Sequence, residues 1–97
     1  MVLLPRTRLR ADPAGVFVHD AILGACRRFA SNTAIVDASY PEPRRLSYAE
    51  YGDTVERLAR GLVAAGVLPG EVVAILLCNS WEFAASYHAI TMAGAIQ

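Results

Sequence analysis

Val72-Val73-Ala74-Ile75-Leu76-Leu77 is followed by Cys78-Asn79-Ser80, by a largely apolar run from Trp81 to Ala93, and by Gly94-Ala95-Ile96-Gln97. A continuous apolar run of this length with β-branched members predicts a strand buried on both faces. Asn79 or Ser80 is placed to cap the helix that follows. That helix, Trp81 to Ala93, is apolar around most of its circumference and stops at Gly94. Ala95-Ile96-Gln97 reads as the opening of a further strand. Strand, helix and strand in this order predict a parallel pair with a right-handed crossover, and hence an α/β fold class.

Upstream lies the strongest local signal. Ser47-Tyr48-Ala49-Glu50 is a capping box. Beyond it Tyr51, Val55, Leu58, Ala59, Leu62 and Ala65 form one stripe of an amphipathic helix over Tyr48–Ala65. Asp53 with Arg57, and Glu56 with Arg60, are i,i+4 pairs on the wet face. Gly66 marks the C-terminal stop, and Pro69-Gly70 a turn. Ser47→Ala should cost about 1 kcal/mol, whereas Ser39→Ala in the preceding loop should cost little.

Further upstream, Thr33–Asp37 reads as a strand and Arg45-Leu46-Ser47 as its return in a hairpin. Pro41 and Pro43 forbid a helix between them. A first helix over Val18–Ala30 places Val18, Ile22, Cys26 and Phe29 on one face, with Asp20 in its first turn and Arg27 and Arg28 in its last. Asn32 is expected to close it as a left-handed cap. Residues 1–15, with Pro5, Pro13 and Gly15, read as an extended lead-in, and 16–97 as a partial α/β domain. The predicted order is helix, β-hairpin, helix, parallel strand, helix, start of strand.

Composition narrows the function classes. At 97 residues with a net charge of zero, one domain at most is expected, with no electrostatic reason for a nucleic-acid partner. All nine basic residues are Arg, so this stretch offers no Schiff-base or phosphate-clamping lysine. Cys26 and Cys78 belong to no metal or redox motif and read as small buried hydrophobes. No apolar segment reaches the ~20 residues of a membrane span. No secretory h-region follows Arg6, Arg8 and Arg10. A cytoplasmic location is therefore expected.

The search for chemistry returns mostly structural roles. No Gly-rich phosphate motif occurs. His19 and His88 stand alone, outside any ligand spacing. Glu82 suits the first turn of its helix. Trp81, Phe83 and Tyr87 follow core spacing. Asn79, between a buried strand and a helix, stands where α/β folds place ligands, although capping is the plainer role.

Taken together, the segments resemble the opening of the AMP-forming, adenylate-forming superfamily. The resemblance rests on five runs in order: 46–50 (Leu-Ser-Tyr-Ala-Glu), 57–62 (Arg-Leu-Ala-Arg-Gly-Leu), 65–77 (Ala-Gly-Val-Leu-Pro-Gly-Glu-Val-Val-Ala-Ile-Leu-Leu), 79–83 (Asn-Ser-Trp-Glu-Phe) and 93–96 (Ala-Gly-Ala-Ile). Gly94-Ala95-Ile96-Gln97 and Cys78-Asn79-Ser80 differ from the peptide-synthetase pattern and favour the acyl-CoA synthetase branch, with its place in fatty-acid metabolism. Cys78 stands where the family more often has Pro.

Such a resemblance implies ATP-dependent activation of a small-molecule carboxylate to acyl-AMP, then transfer to CoA, with ATP, Mg and CoA as the family's cofactors. It carries no catalytic, cofactor-binding or metal residue onto any position here. The phosphate loop and lysines that do the chemistry have no counterpart in these 97 residues. The chain is therefore expected to be an N-terminal segment of such a ligase, inactive alone and prone to self-association through uncovered apolar surface. The alternative is a small α/β interaction or docking protein without enzyme activity.

Overall fold

Ser47 opens the longest helix, α2 (Tyr48–Ala64). Its hydroxyl accepts from the Glu50 N–H at 3.1 Å, and the Glu50 carboxylate accepts from the Ser47 N–H at 2.8 Å. In the computed structural model, which describes residues 17–97, four further elements surround this helix: α1 (Val18–Arg28), β1 (Thr33–Asp37), β2 (Arg44–Ser47) and α3 (Trp81–Met92). The lead-in expected over 1–15 lies outside the described residues.

Glycine ends α2 and α3 in the same way. Gly66 has a φ of 102° and Gly94 of 82°, a left-handed geometry that only glycine adopts without strain. Val67 N–H donates to the Leu62 carbonyl at 3.1 Å and Gly66 N–H to that of Val63 at 3.0 Å. Ala95 and Gly94 repeat the pattern onto Ile90 and Thr91. Both ends are Schellman motifs, which satisfy carbonyls a helix terminus leaves open. On the wet face of α2, Arg60 meets Glu56 at 3.1 Å and Arg57 meets Asp53 at 3.8 Å.

The core lies where the three helices meet. Cys26 of α1, Tyr51, Val55 and Ala59 of α2, and Ala85 and Ala89 of α3 are buried together. Gly52 sets the α1–α2 approach: a Cβ there would stand 2.9 Å from Cys26 Cβ. Only the middle of α1 takes part, burying Leu23 and Cys26. Val18 and Phe29, predicted on the same stripe, are exposed, because they lie at the helix ends, away from this contact. Leu58 and Ala65 of the α2 stripe are exposed as well.

No described residue other than glycine has positive φ, so Asn32 is not a left-handed cap. Its N–H instead donates to the Phe29 carbonyl at 2.8 Å, and its carbonyl accepts from Tyr48 N–H at 2.9 Å. The turn after α1 is thus closed by backbone bonds and tied to the start of α2.

β1 and β2 form the antiparallel hairpin, with Ile35 opposite Leu46, Val36 opposite Arg45 and Asp37 opposite Arg44. A register shift falls between Thr33 and Ile35. Ser39 is not a neutral loop residue. Its N–H and its hydroxyl both donate to Asp37 Oδ1.

The predicted strand Val72–Leu77 needs a larger correction. It holds one parallel bridge, Val72 to Ile96, made by Val73 N–H to the Ile96 carbonyl at 2.8 Å and Ile96 N–H to that of Glu71 at 2.7 Å. The parallel relation of this run to the residues after α3 is therefore present. Burial on both faces is not: Val72 is 75% exposed and Leu76 97% exposed. An apolar run shows what a strand is suited to bury, but a ladder and a covering layer must come from neighbours. Among the described residues the run has one bridge partner, Ile96. α3 likewise buries only one side, through Ala85, Ala89 and Ile90, and leaves Tyr87 exposed.

Candidate functional site

The hairpin ends on Asp37 and Arg44, and both reach Trp81 at the start of α3. Asp37 Oδ2 accepts from the Trp81 N–H at 3.0 Å. The Arg44 guanidinium lies over the indole, 4.7 Å from its centroid. Ser80 caps α3 by accepting from Phe83 N–H at 3.4 Å. Asn79 is not the cap. It is exposed and lines a small cleft with Asp37, Ser39 and Trp81. Glu82 sits in the first turn of α3, as expected, and accepts from the Tyr40 hydroxyl at 3.2 Å.

Asp37 is buried. The Ser39 side chain and N–H, and then the Trp81 N–H, hold its carboxyl below the ordinary carboxylate range, because each donor favours the charged form. Sequence reading gave Asp37 no role. The available signal was Asp37-Ala38-Ser39 at a strand end, a pattern in which an Asp side chain bonds the backbone two residues on. Its bond to residue 81 has no local signature.

The other polar pair lies between α2 and α3. Tyr51 Oη and His88 Nδ1 are 2.6 Å apart, with the rings edge to face at 6.0 Å. Burial pushes the Tyr51 hydroxyl up to about 12 and His88 below the ordinary histidine value. A phenol shifted this way resists ionisation, the reverse of what a base at neutral pH needs. The pair therefore reads as a satisfied contact between α2 and α3. Cys26 is buried as expected, but Cys78 is exposed.

Several clefts adjoin these elements, three of them beside the segments just described. An apolar groove of about 210 Å³ runs under residues 73–77, with Leu58, Leu62 and Ile90 in its walls. An open cleft of about 630 Å³ carries Arg44, Arg57 and Trp81. The third is the small cleft at Asn79. No helix is long and apolar enough to cross a membrane among the described residues.

The element order and the one parallel bridge between the segments flanking α3 define a mixed helix and strand unit. A family model described as AMP-binding enzyme matches residues 24–97. The chain belongs to this family of adenylate-forming enzymes.

The chain is 37% identical over 84 residues to triostin synthetase I of Streptomyces triostinicus, covering 87% of this chain and 14% of that protein. It is 38% identical over 79 residues to a salicyl-AMP ligase / salicyl-S-ArCP synthetase of Mycobacterium tuberculosis, covering 79% and 14%. It is 39% identical over 67 residues to 4-coumarate–CoA ligase 4 of Arabidopsis thaliana, covering 69% and 11%. The chain thus spans a seventh or less of these relatives. Among solved structures it is similar to the nonribosomal peptide synthetase FmoA3 in its α-methyl-L-serine-AMP bound form, with a TM-score of 0.75, 28% identity, and coverage of 88% of this chain and 9% of that one. These relatives include both peptide synthetases and ligases. They support membership of the adenylate-forming family in general and do not single out the acyl-CoA synthetases.

Proposed function

We propose that this chain is the N-terminal scaffold of a carboxylic acid–CoA ligase, which activates a carboxylate with ATP to acyl-AMP and passes it to CoA in the cytoplasm. The family match over 24–97 carries the adenylate-forming part of this reading. The departures from the peptide-synthetase pattern at 78–80 and 94–97 support the CoA branch. No residue of this chain is assigned to ATP, Mg or CoA. Adenylation needs preorganised positive charge on the triphosphate, and these residues contain no lysine.

The chain's own part is structural. The run 72–77 is tied to the residues after α3 by one parallel bridge and leaves its apolar side chains largely exposed. Purified alone, it should give only background exchange of pyrophosphate into ATP with any carboxylate. Joined to the remaining domains of an adenylate-forming ligase, it should give carboxylate-dependent exchange and a CoA thioester. Exchange by the isolated chain would overturn the scaffold reading. Exchange by the extended protein with amino acids only would overturn the CoA branch.

The exposed run at 72–77 also favours a second reading, a small docking protein. Absence of exchange from every extended form, with a monomeric and cooperatively folded isolated chain, would select it.

A further inference from the structure

Tyr51 of α2 and His88 of α3 make the one side-chain hydrogen bond between these helices among the described residues, at 2.6 Å. Tyr51 is buried and His88 half-buried. The Tyr51 hydroxyl has no other partner among the described residues, so its proton is directed at the Nδ1 lone pair. The ring is then neutral, with its own proton on Nε2. Such a bond exists only while Nδ1 is bare. A proton there turns Nδ1 into a donor and leaves the Tyr51 O–H buried without an acceptor. Ionising the phenol does not relieve this, because burial pushes that hydroxyl up to about 12.

The surroundings offer a charged ring little. Tyr51 and Tyr87 meet it edge to face. Cys26 of α1 is buried with Tyr51, and burial pushes its thiol up. His19 and Asp20 of α1 pair with each other at 3.6 Å, and Arg27 and Arg28 are exposed. On α2, Glu50 is engaged by the cap, and Asp53 and Glu56 pair with Arg57 and Arg60. Asp37 of β1 accepts from Ser39 and Trp81, and Glu82 of α3 from Tyr40. None of these charges acts on His88: burial lowers its value, and only the Ala84 backbone opposes this.

We propose that Tyr51 and His88 form an acid-sensitive latch, which secures α3 against α2 while Nδ1 is bare and weakens when Nδ1 takes up a proton. α3 leads into Ile96, whose bridge to Val72 is the one tether of 72–77, so the latch bears on that run as well. It needs no nucleotide and stands apart from the ligase reading.

The folded value of His88 lies below the unfolded one of about 6.5. The latch's contribution is therefore fully present above the unfolded value and is lost as pH falls through the folded one. Urea unfolding at pH 7 and pH 5, where carboxylates stay ionised, is followed by the fluorescence of Trp81, the chain's single tryptophan. The folded-to-unfolded ratio of the parent chain should fall by at least about threefold between the two. His19→Gln should fall as much. His88→Gln keeps an acceptor for Tyr51 but does not titrate, and should fall little. Tyr51→Phe, which keeps the buried ring, should fall less than the parent. A stable parent ratio, or a fall as large as the parent's in either His88→Gln or Tyr51→Phe, would overturn the proposal. Nitrogen-15 shifts of His88 in the parent chain, assigned by comparison with His19→Gln, test it without a variant at the latch. They should show Nδ1 bare and Nε2 protonated at pH 7, and a protonated Nδ1 there would overturn it.

Discussion

Asp37 and Arg44 face each other as the last pair of the hairpin, and both hold Trp81. Asp37 takes the Trp81 backbone N–H at 3.0 Å, and Arg44 covers its ring at 4.7 Å. One strand pair thus fixes where α3 begins, 44 residues beyond Asp37 along the chain. The carboxylate also satisfies an N–H that a helix start leaves open and places negative charge at the positive end of the dipole.

Asp37→Asn should therefore loosen the start of α3 and remove a pH dependence. The folded carboxyl sits below its ordinary value. Its contribution is fully present above the unfolded value of about 3.9 and is lost as pH falls through the lowered folded value. Urea unfolding at pH 7 and pH 3 should show a larger loss for the parent chain than for the variant. Equal losses would remove Asp37 from the account.

Ser47→Ala should cost about 1 kcal/mol, since both halves of the capping box are formed. Ser31→Ala is the proper control, at an exposed turn position. Ser39→Ala should cost more than that control, because its hydroxyl donates to buried Asp37. Thermal unfolding of the three variants would rank them, and a neutral Ser39→Ala would contradict the Asp37 anchor.

Two helical glycines should respond with opposite signs. Gly61 meets nothing within 4 Å of a new Cβ, so Gly61→Ala should stabilise by about 0.5–1 kcal/mol through helix propensity. Gly52→Ala puts a methyl 2.9 Å from Cys26 Cβ and should destabilise by about 1–3 kcal/mol through overpacking. Denaturant midpoints decide this. Stabilisation by both would mean that α1 does not rest on Gly52.

Leu76 is 97% exposed on an extended run with one bridge. Uncharged, unprotected edges invite pairing with another chain. The isolated protein should scatter light as oligomers at tens of micromolar and bind a hydrophobic dye, and Leu76→Glu should reduce both. A dye-silent monomeric parent chain would contradict this.

What the sequence determined by itself was local. Ser47 and Glu50 specify a helix start through bonds three residues apart, and Gly66 and Gly94 specify stops through a backbone geometry other residues avoid. Asp53–Arg57 and Glu56–Arg60 follow from one helical turn. The ordered runs from Leu46 to Ile96 carried the family, because each is short and read in sequence. Tertiary structure alone decided which parts of an apolar pattern are covered. Leu58 and Leu76 are as apolar as Val55, yet only Val55 lies where three helices converge. It also decided that Asp37 reaches Trp81, that Arg44 stacks on that ring and that Tyr51 meets His88. These contacts join residues 37 to 44 positions apart. Their partners are set by how the helices pack, and no short-range spacing encodes that packing.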